Sequence, residues 1–543
     1  MSSAALSAEP PPLAPTRAAI PPFWRLDADA PFSRTVYAVI VALTIALYLS
    51  GATSQWRVSA DSVAYLELSR SLAAGEGYVY QGEYHTKFPP GFPAWLAGLR
   101  LLGCDSMQAL NLGMATLGLL SIVAAYLLLR EWTAPRPALV LAIGSGLLHE
   151  SWVFTYAQLS DVPFLCFATF GLWCWVRGLK GGRGWLEAGT LILAACCWVR
   201  IVGAPLLAGA ALGLYLQRGQ VTRPRLIGNL IASGAAIALA MGFYTMQYLI
   251  SQSSPTAMGY HWEAELVSER AWHAWLWLPF YNFYMSGQQL GTFLTSQDIP
   301  PAIALVAIWW PTLVGLRASF RNRQYIVALA AIVYLGALVV LRASIARYYI
   351  PVAPFLLWCY AAGLMELWKK LPAVSWNPQW APAAIVGVFL LMNAVKDVRE
   401  VVFAWRYPHA DFYTKDPDFP RLVALLRQRP EPTQICGALA PQLVYITGHK
   451  PVGWPRHFKY DDPATSAGSI RQLGIQWLVF PKAPPSHAFK KFQAFADAAP
   501  GFQRTYRSGR YEVFEPSPLS PISAERASSP PLTADAGAAK TLR

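Results

Sequence analysis

Between Ser50 and Gly103 the chain reads SGATSQWRVSADSVAYLELSRSLAAGEGYVYQGEYHTKFPPGFPAWLAGLRLLG. This is a long polar interruption in a chain that otherwise moves from one apolar run to the next, and connections of such length usually carry function. Within it, SADSVAYLELSRSLAAG has helical periodicity, with Val63, Leu66 and Leu72 apolar. Ser59 or Asp61 is placed to cap that helix, and Gly75 and Gly77 are placed to stop it. Asp61 and Tyr65, one helical turn apart, share a face. The prolines of HTKFPPGFP fix φ and push their predecessors out of the α region, which sets a rigid, extended approach to the next helix.

On either side of this loop the chain is built for a bilayer. Of its 543 residues 55% are hydrophobic and only 14% charged, against about 25% charged in an ordinary soluble domain. Many of the 22 tryptophans flank apolar runs, where amphipathic rings settle at a membrane interface. Stretches long enough to cross a bilayer recur near 35–51, 107–129, 137–156, 161–178, 185–199, 202–216, 226–250, 301–316, 324–341, 348–368 and 381–396. Arg200, Gly203 and Pro205 interrupt 185–216, which reads either as two short helices or as one broken helix. The expected fold is therefore an all-α polytopic membrane domain of about eleven transmembrane helices.

Charge gives the sidedness. Arg34, Arg130 and Arg136, Arg177 with Lys180 and Arg183, Arg218 to Arg225, Arg317 to Arg323, and Lys369 with Lys370 fall in alternate connections, which the positive-inside rule makes cytoplasmic. The net charge of +14 is thus topological, and no basic stripe with interleaved aromatics points to nucleic acid. The expected layout is a disordered cytoplasmic tail over 1–34 and a membrane domain over 35–396 with outer loops at 52–106 and 251–300. An extracytoplasmic α/β domain follows over 397–516, then a disordered tail over 517–543. In the α/β domain FPRLVALLRQRP reads as a helix, PTQICGAL and IQWLVFP as strands, and TYRSGRYEVFEP as a hairpin turning at Ser508-Gly509. The seven cysteines form no CxxC pair and suggest neither a zinc site nor a disulfide framework.

The order of features is recognisable. A first span is followed by an Asp near the start of an outer helix, a Tyr four residues on, a Gly-containing stretch, and Lys87-Phe88-Pro89-Pro90-Gly91-Phe92-Pro93 leading into a helix. This resembles the GT-C glycosyltransferases, nearest to the bacterial branch of the protein O-mannosyltransferase and lipid A aminoarabinose transferase type. Asp161 at the outer start of a later span, Arg347-Tyr348-Tyr349-Ile350-Pro351-Val352-Ala353-Pro354 at the head of a late helix, and the outer C-terminal domain extend the resemblance over most of the chain. Two departures stand out. Many members carry Asp-Glu in the first loop where Ser62 follows Asp61 here, and the aminoarabinose transferases have an arginine where this chain has Val63-Ala64.

The resemblance implies transfer of a single sugar, with inversion, from a polyprenyl-phosphate donor to a lipid, glycan or protein acceptor on the periplasmic face of a bacterial inner membrane. Such chemistry needs a base for the acceptor hydroxyl and cations for the departing phosphate. Asp61 is the expected base, with Asp161 as a second catalytic carboxylate. Lys87, Arg347, Tyr348 and Arg200 are the expected phosphate-binding residues, and Tyr65, His85 and Glu150 support the site. Each has a plainer reading beside this one: a helix cap for the aspartates, snorkelling for Lys87 and Arg347, a pairing inside the bundle for Arg200. Adjacent His149 and Glu150 cannot share a helical face, so they suggest no metal pair. No cofactor is expected; a divalent metal, used by oligosaccharyl relatives, is possible but not indicated. Two other classes compete. A transporter or lipid-linked-glycan flippase needs ionisable groups at mid-span and repeat symmetry, and a ligase or polymerase using a diphosphate-linked donor needs paired arginines in a large outer loop. The loop 251–300 has only Arg270.

Overall fold

The computed structural model describes residues 31–80, 83–85, 87–182, 184–251, 272–341, 346–370, 381–406, 412–414, 416, 418–429, 433–437, 440–451, 470, 474–481, 501–508 and 511–516. Both terminal tails and the Ser508-Gly509 turn tip fall outside these in whole or part. The chain divides into two compact units near Tyr413.

The first unit is helical. In chain order it runs α1 (Pro31–Gly51), α2 (Ala60–Ala73), α3 (Gly91–Leu101), α4 (Met107–Leu129), α5 (Pro135–Gly146), α6 (His149–Thr155), α7 (Asp161–Leu179), α8 (Trp185–Val199), α9 (Gly203–Leu216) and α10 (Arg223–Ser251). It continues through α11 (Trp272–Thr295), α12 (Pro301–Arg321, with a π-helical turn at Leu305–Trp309), α13 (Tyr325–Leu341), α14 (Ala353–Trp368) and α15 (Ala381–Arg406). Each predicted apolar stretch coincides with helix. Among the described residues seven helices are long and apolar enough to cross a membrane, and α8, α9 and α13 are shorter apolar helices. The predicted run 137–156 is broken: α5 and α6 meet at 58°. The ambiguous stretch 185–216 resolves into two helices, because Arg200 is extended (φ −150°, ψ 141°) and ends α8.

The connections that charge assigns to one side meet one another. Lys180 Nζ lies 2.7 Å from Glu131, and the Gln217 amide donates to the Arg323 carbonyl at 2.9 Å. At the other end, α15 runs on beyond 396 and buries Asp397, whose carboxylate is 2.7 Å from His149 Nδ1. Asn393 accepts from the His149 amide and donates to the Leu294 carbonyl, and Glu400 lies 3.6 Å from Arg57. This second polar cluster pins the short α6 against α15. Strand β1 (Trp56–Arg57) pairs in parallel with β4 (Phe412–Tyr413) beside it.

Glycine brings helices close where no hydrophobic effect drives them together within lipid. On α9, Gly209 and Gly213 rest against the backbone of α13, and on α12 and α14, Gly315 and Gly363 place backbone against backbone. A methyl group at Gly315 would overlap the Cys359 carbonyl oxygen, and one at Gly363 the Pro311 carbonyl oxygen.

The second unit is a small α/β fold. Its sheet has the order β6-β5-β7-β9-β8, with β5 (Gln434–Gly437) parallel to β6 (Lys450–Pro451) and β7 (Trp477–Pro481). The hairpin β8 (Phe502–Ser508) and β9 (Tyr511–Pro516) closes it antiparallel to β7. Helix α16 (Phe419–Arg427) and α17 (Ala440–Thr447) complete it, with Phe419, Leu422, Leu426, Ile435, Val479 and Val513 in the core. The helix, both strands and the hairpin read from sequence are all present.

Gly315→Leu or Gly363→Val forces α12 and α14 apart, a strain of about 1–3 kcal/mol or more. Thermal unfolding of the detergent-solubilised protein should show a lowered midpoint for either, and no loss for Gly336→Ala, where a methyl group meets nothing within 4 Å.

Candidate active site

Four charged residues from four separate parts of the chain meet in one cluster. Asp61 lies in the first turn of α2 and Asp161 opens α7. Arg200 ends α8, and Arg347 belongs to a 3-10 stretch, Ala346–Val352, that leads into α14. Arg347 Nη2 donates to Asp61 Oδ2 at 3.0 Å, and Arg200 Nη1 is 2.8 Å from Asp161 Oδ1. The plainer reading of both aspartates as helix caps does not hold: neither Asp61 nor Asp161 occupies a capping position, and Ser59 and Ser160, which do, make no side-chain cap bond.

The two ion pairs differ in exposure. The Asp61 side chain is 28% exposed and that of Asp161 only 1%. Arg200 approaches Asp161 off the line that a hydrogen bond needs, so both Asp161 oxygens lack a hydrogen-bond donor among the described residues; Arg347 Nε is likewise buried without an acceptor. Groups of this kind are costly in an apolar bundle. They give the site one strong acceptor and one strong donor still open.

Aromatic rings link the pairs. The Tyr348 ring faces Arg347 at 5.4 Å and Arg200 at 5.5 Å, and the Tyr334 hydroxyl donates to the Tyr348 carbonyl at 2.7 Å. Phe154 on α6 lies 6.0 Å from the Arg347 guanidinium. Tyr65 hydrogen-bonds Ser160 at 3.1 Å, and Arg200 donates to the same Ser160 hydroxyl at 3.1 Å. Burial above all keeps the Tyr65 phenol protonated.

The loop before α3 is held by His85. The short strands β2 (Val79–Tyr80) and β3 (Glu83–Tyr84) deliver it into a box made by the rings of Tyr78, Tyr80 and Phe88. Its Nε2 accepts the Phe88 amide at 3.0 Å, while the Tyr78 hydroxyl donates to the Phe88 carbonyl at 2.8 Å. The Phe88 ring then packs on Tyr65 at 4.7 Å, and the Lys87 ammonium lies 5.5 Å from the centre of the same Phe88 ring. Lys87 lies against the Phe88 ring, and His85 serves as an uncharged backbone clamp. Burial and, second, the Lys87 charge lower its pKa to about 3. Glu150 sits in the first turn of α6, next to the His149–Asp397 pair, with the second polar cluster. No group of three or more His, Cys, Asp or Glu side chains suited to a metal is found among the described residues.

Of the predicted residues, Asp61, Asp161, Arg200, Arg347, Tyr348 and Tyr65 form the cluster itself. Ser160, Tyr334 and Phe154 are the additions. Ser160 adjoins Asp161, which is a hint, but Tyr334 and Phe154 lie inside apolar runs and carry no signal in the sequence.

Comparison with known proteins follows the same line. Residues 87–245 match the family model for dolichyl-phosphate-mannose-protein mannosyltransferases, a span that contains Lys87, Asp161 and Arg200. ArnT from Cupriavidus metallidurans in the apo state superposes with a TM-score of 0.51 at 18% identity, covering 89% of this chain and 98% of that one. The chain has the GT-C fold. A second GT-C structure, ArnT bound to undecaprenyl phosphate, matches at 16% identity over the same shares, with a TM-score of 0.51. The archaeal oligosaccharyltransferase AglB from Archaeoglobus fulgidus, in complex with an inhibitory peptide and a dolichol-phosphate, gives 0.53 at 11% identity, over 87% of this chain and 72% of that. No curated protein matches by sequence.

The His85 clamp makes a pH prediction. A histidine ordinarily near 6.5 that drops to about 3 on folding leaves the unfolded chain with the extra proton between those values. Its contribution to stability is full above 6.5 and is lost as pH falls toward 3. Glu67 on α2, raised to about 7 by burial, works in the opposite sense. The difference between wild type and His85→Gln in thermal midpoint therefore isolates the effect. Wild type should lose more stability than the variant as pH falls below 6.5.

Proposed function

We propose that the protein is a membrane glycosyltransferase that moves one sugar from a polyprenyl-phosphate donor to an acceptor hydroxyl, with Asp61 as general base. The observation that carries this reading is the meeting of two carboxylates and two guanidinium groups at one end of an apolar bundle. The fold shared with an ArnT structure that holds undecaprenyl phosphate, and with an AglB structure that holds dolichol-phosphate, favours a lipid-linked donor. The matching mannosyltransferase family model favours transfer of a monosaccharide.

The reaction is a single displacement. The acceptor oxygen attacks the anomeric carbon, the bond from that carbon to the phosphate oxygen breaks, and the polyprenyl phosphate leaves with the electron pair. Inversion follows from attack opposite the leaving group. Asp61, the more exposed carboxylate, takes the acceptor proton, a role worth about 10²–10⁴-fold in rate. Arg347, Arg200 and Lys87 receive the negative charge that the phosphate gains as it leaves. A phosphate oxygen at Arg347 competes with Asp61 for the same guanidinium, so donor binding frees the base it needs. Asp161, whose Oδ2 has no hydrogen-bond donor among the described residues while Oδ1 faces Arg200, accepts a hydroxyl of the sugar or acceptor. The acceptor is a lipid, a glycan or a protein. The proposed reaction takes place on the periplasmic face of a bacterial inner membrane with the N-terminus in the cytoplasm, a sidedness that the basic residues of the alternate connections favour.

Asp61→Asn should lower transfer by about 10²–10⁴-fold and lower the thermal midpoint through loss of the Arg347 pair, while undecaprenyl-phosphate binding is kept or tightened because the competitor for Arg347 is gone. Purified protein assayed with undecaprenyl-phosphate hexoses and pentoses measures this, and full activity in the variant would sink the assignment of the base.

A further inference from the structure

Three residues before Asp161 the backbone is strained. Gln158 has φ 53°, in the left-handed region where a side chain other than glycine is uncommon, and it is completely buried. Its Oε1 has no hydrogen-bond partner among the described residues. A strained backbone and an unsatisfied buried acceptor persist only where the surroundings over-determine them, and such residues cluster at functional sites.

Here the surroundings are a chain of hydrogen bonds. Gln158 Nε2 donates to Asn111 Oδ1 of α4 at 2.7 Å. Asn111 Nδ2 in turn donates to the Thr53 carbonyl at 2.7 Å and to the Gln55 carbonyl at 3.1 Å. Gln55 precedes Trp56, whose indole N–H donates to Ser62 at 3.0 Å, and Ser62 also donates to the Ser59 carbonyl at 2.8 Å. Ser62 is the neighbour of Asp61 and is fully buried. One continuous set of contacts thus runs from the turn that launches Asp161 to the turn that launches Asp61. It passes through a single side chain, Asn111, on a helix that contributes no charged group to the site.

We infer that Asn111 and Gln158 are positioning residues that fix the first-loop carboxylate relative to the Asp161 carboxylate. The inference rests on the proposed transfer reaction for its catalytic consequence, though not for its structural one. Two catalytic groups must be held to a fraction of an ångström, and a displacement of about 1 Å costs on the order of 10²-fold in rate. The Tyr65–Ser160 hydrogen bond ties α2 to the start of α7 after Asp61 in the chain, and the buried Asn111 amide supplies a second tie before it, from Gln158 to the Thr53 and Gln55 carbonyls.

Two variants separate this role from simple packing. Gln158→Gly tolerates the backbone conformation and deletes the link; Asn111→Asp keeps the shape and the acceptor for Gln158 but replaces both donations with a carboxylate facing two carbonyls. Each is compared with wild type in nanodiscs by three readouts: hydrogen–deuterium exchange, binding of undecaprenyl phosphate, and kcat with undecaprenyl-phosphate hexoses and pentoses. The expected result is faster exchange of amides in 52–62, remote in sequence from both substitutions, with kcat lowered about tenfold to a hundredfold and lipid-phosphate affinity within about twofold of wild type. Unchanged exchange in 52–62 for both variants, with loosening confined to the substituted turn, overturns the inference, as does an unchanged kcat. If wild type itself turns over none of these donors, the proposed reaction fails, and the exchange data still decide whether the link exists.

Discussion

A guanidinium group removed from water needs a carboxylate, and in an apolar bundle it has few places to find one. Arg200 and Arg347 each satisfy that need with an aspartate from a distant part of the chain, Arg347 with Asp61 and Arg200 with Asp161. Desolvation makes breaking such a buried pair expensive even where forming it gains little. The helix ends that carry these residues are consequently committed to one another. The extended break after α8, the 3-10 approach to α14 and the helical start of α2 are the local forms that let four side chains reach a common point.

Around this core the aromatic residues supply rigidity without adding charge. Tyr348 lies against both guanidinium groups, Tyr334 holds Tyr348 by its backbone, and Phe88 is clamped at its amide and its carbonyl before it meets Tyr65. A neutral His85 is essential to that clamp, since a protonated ring has no lone pair to accept the Phe88 amide. The second polar cluster, with Arg57, His149, Asn393, Asp397 and Glu400, does similar work one helix away by holding the short α6 that carries Phe154. Polar groups in this protein gather at helix ends, and close helix packing is left to glycine.

Much of the site was legible because rare residue types stand out against an apolar background. Asp61, Asp161, Arg200 and Arg347 are conspicuous in such a chain, and charge placement alone assigned all four to one side. Ser62, which interrupts the Asp-Glu pair of related proteins, is turned inward to the Trp56 indole; its position was visible and its role was not. His85 looked like a supporting group near the phosphate and proved to be a buried backbone acceptor. Glu150 was placed with the site and belongs beside the second cluster. Such residues have several physically sensible uses, and only the neighbours choose among them.

Hydropathy and basic-residue placement determined the helices, their alternation and the small α/β unit, because a bilayer leaves the backbone few ways to satisfy its own hydrogen bonds and charge cannot cross cheaply. Those are one-dimensional properties, additive along the chain. The pairing of Asp61 with Arg347 across 286 residues, the bend between α5 and α6, and the Gln158–Asn111 link were decided only by tertiary structure. Each depends on which side chains a packed bundle brings within hydrogen-bond reach, and no local preference of the sequence specifies that.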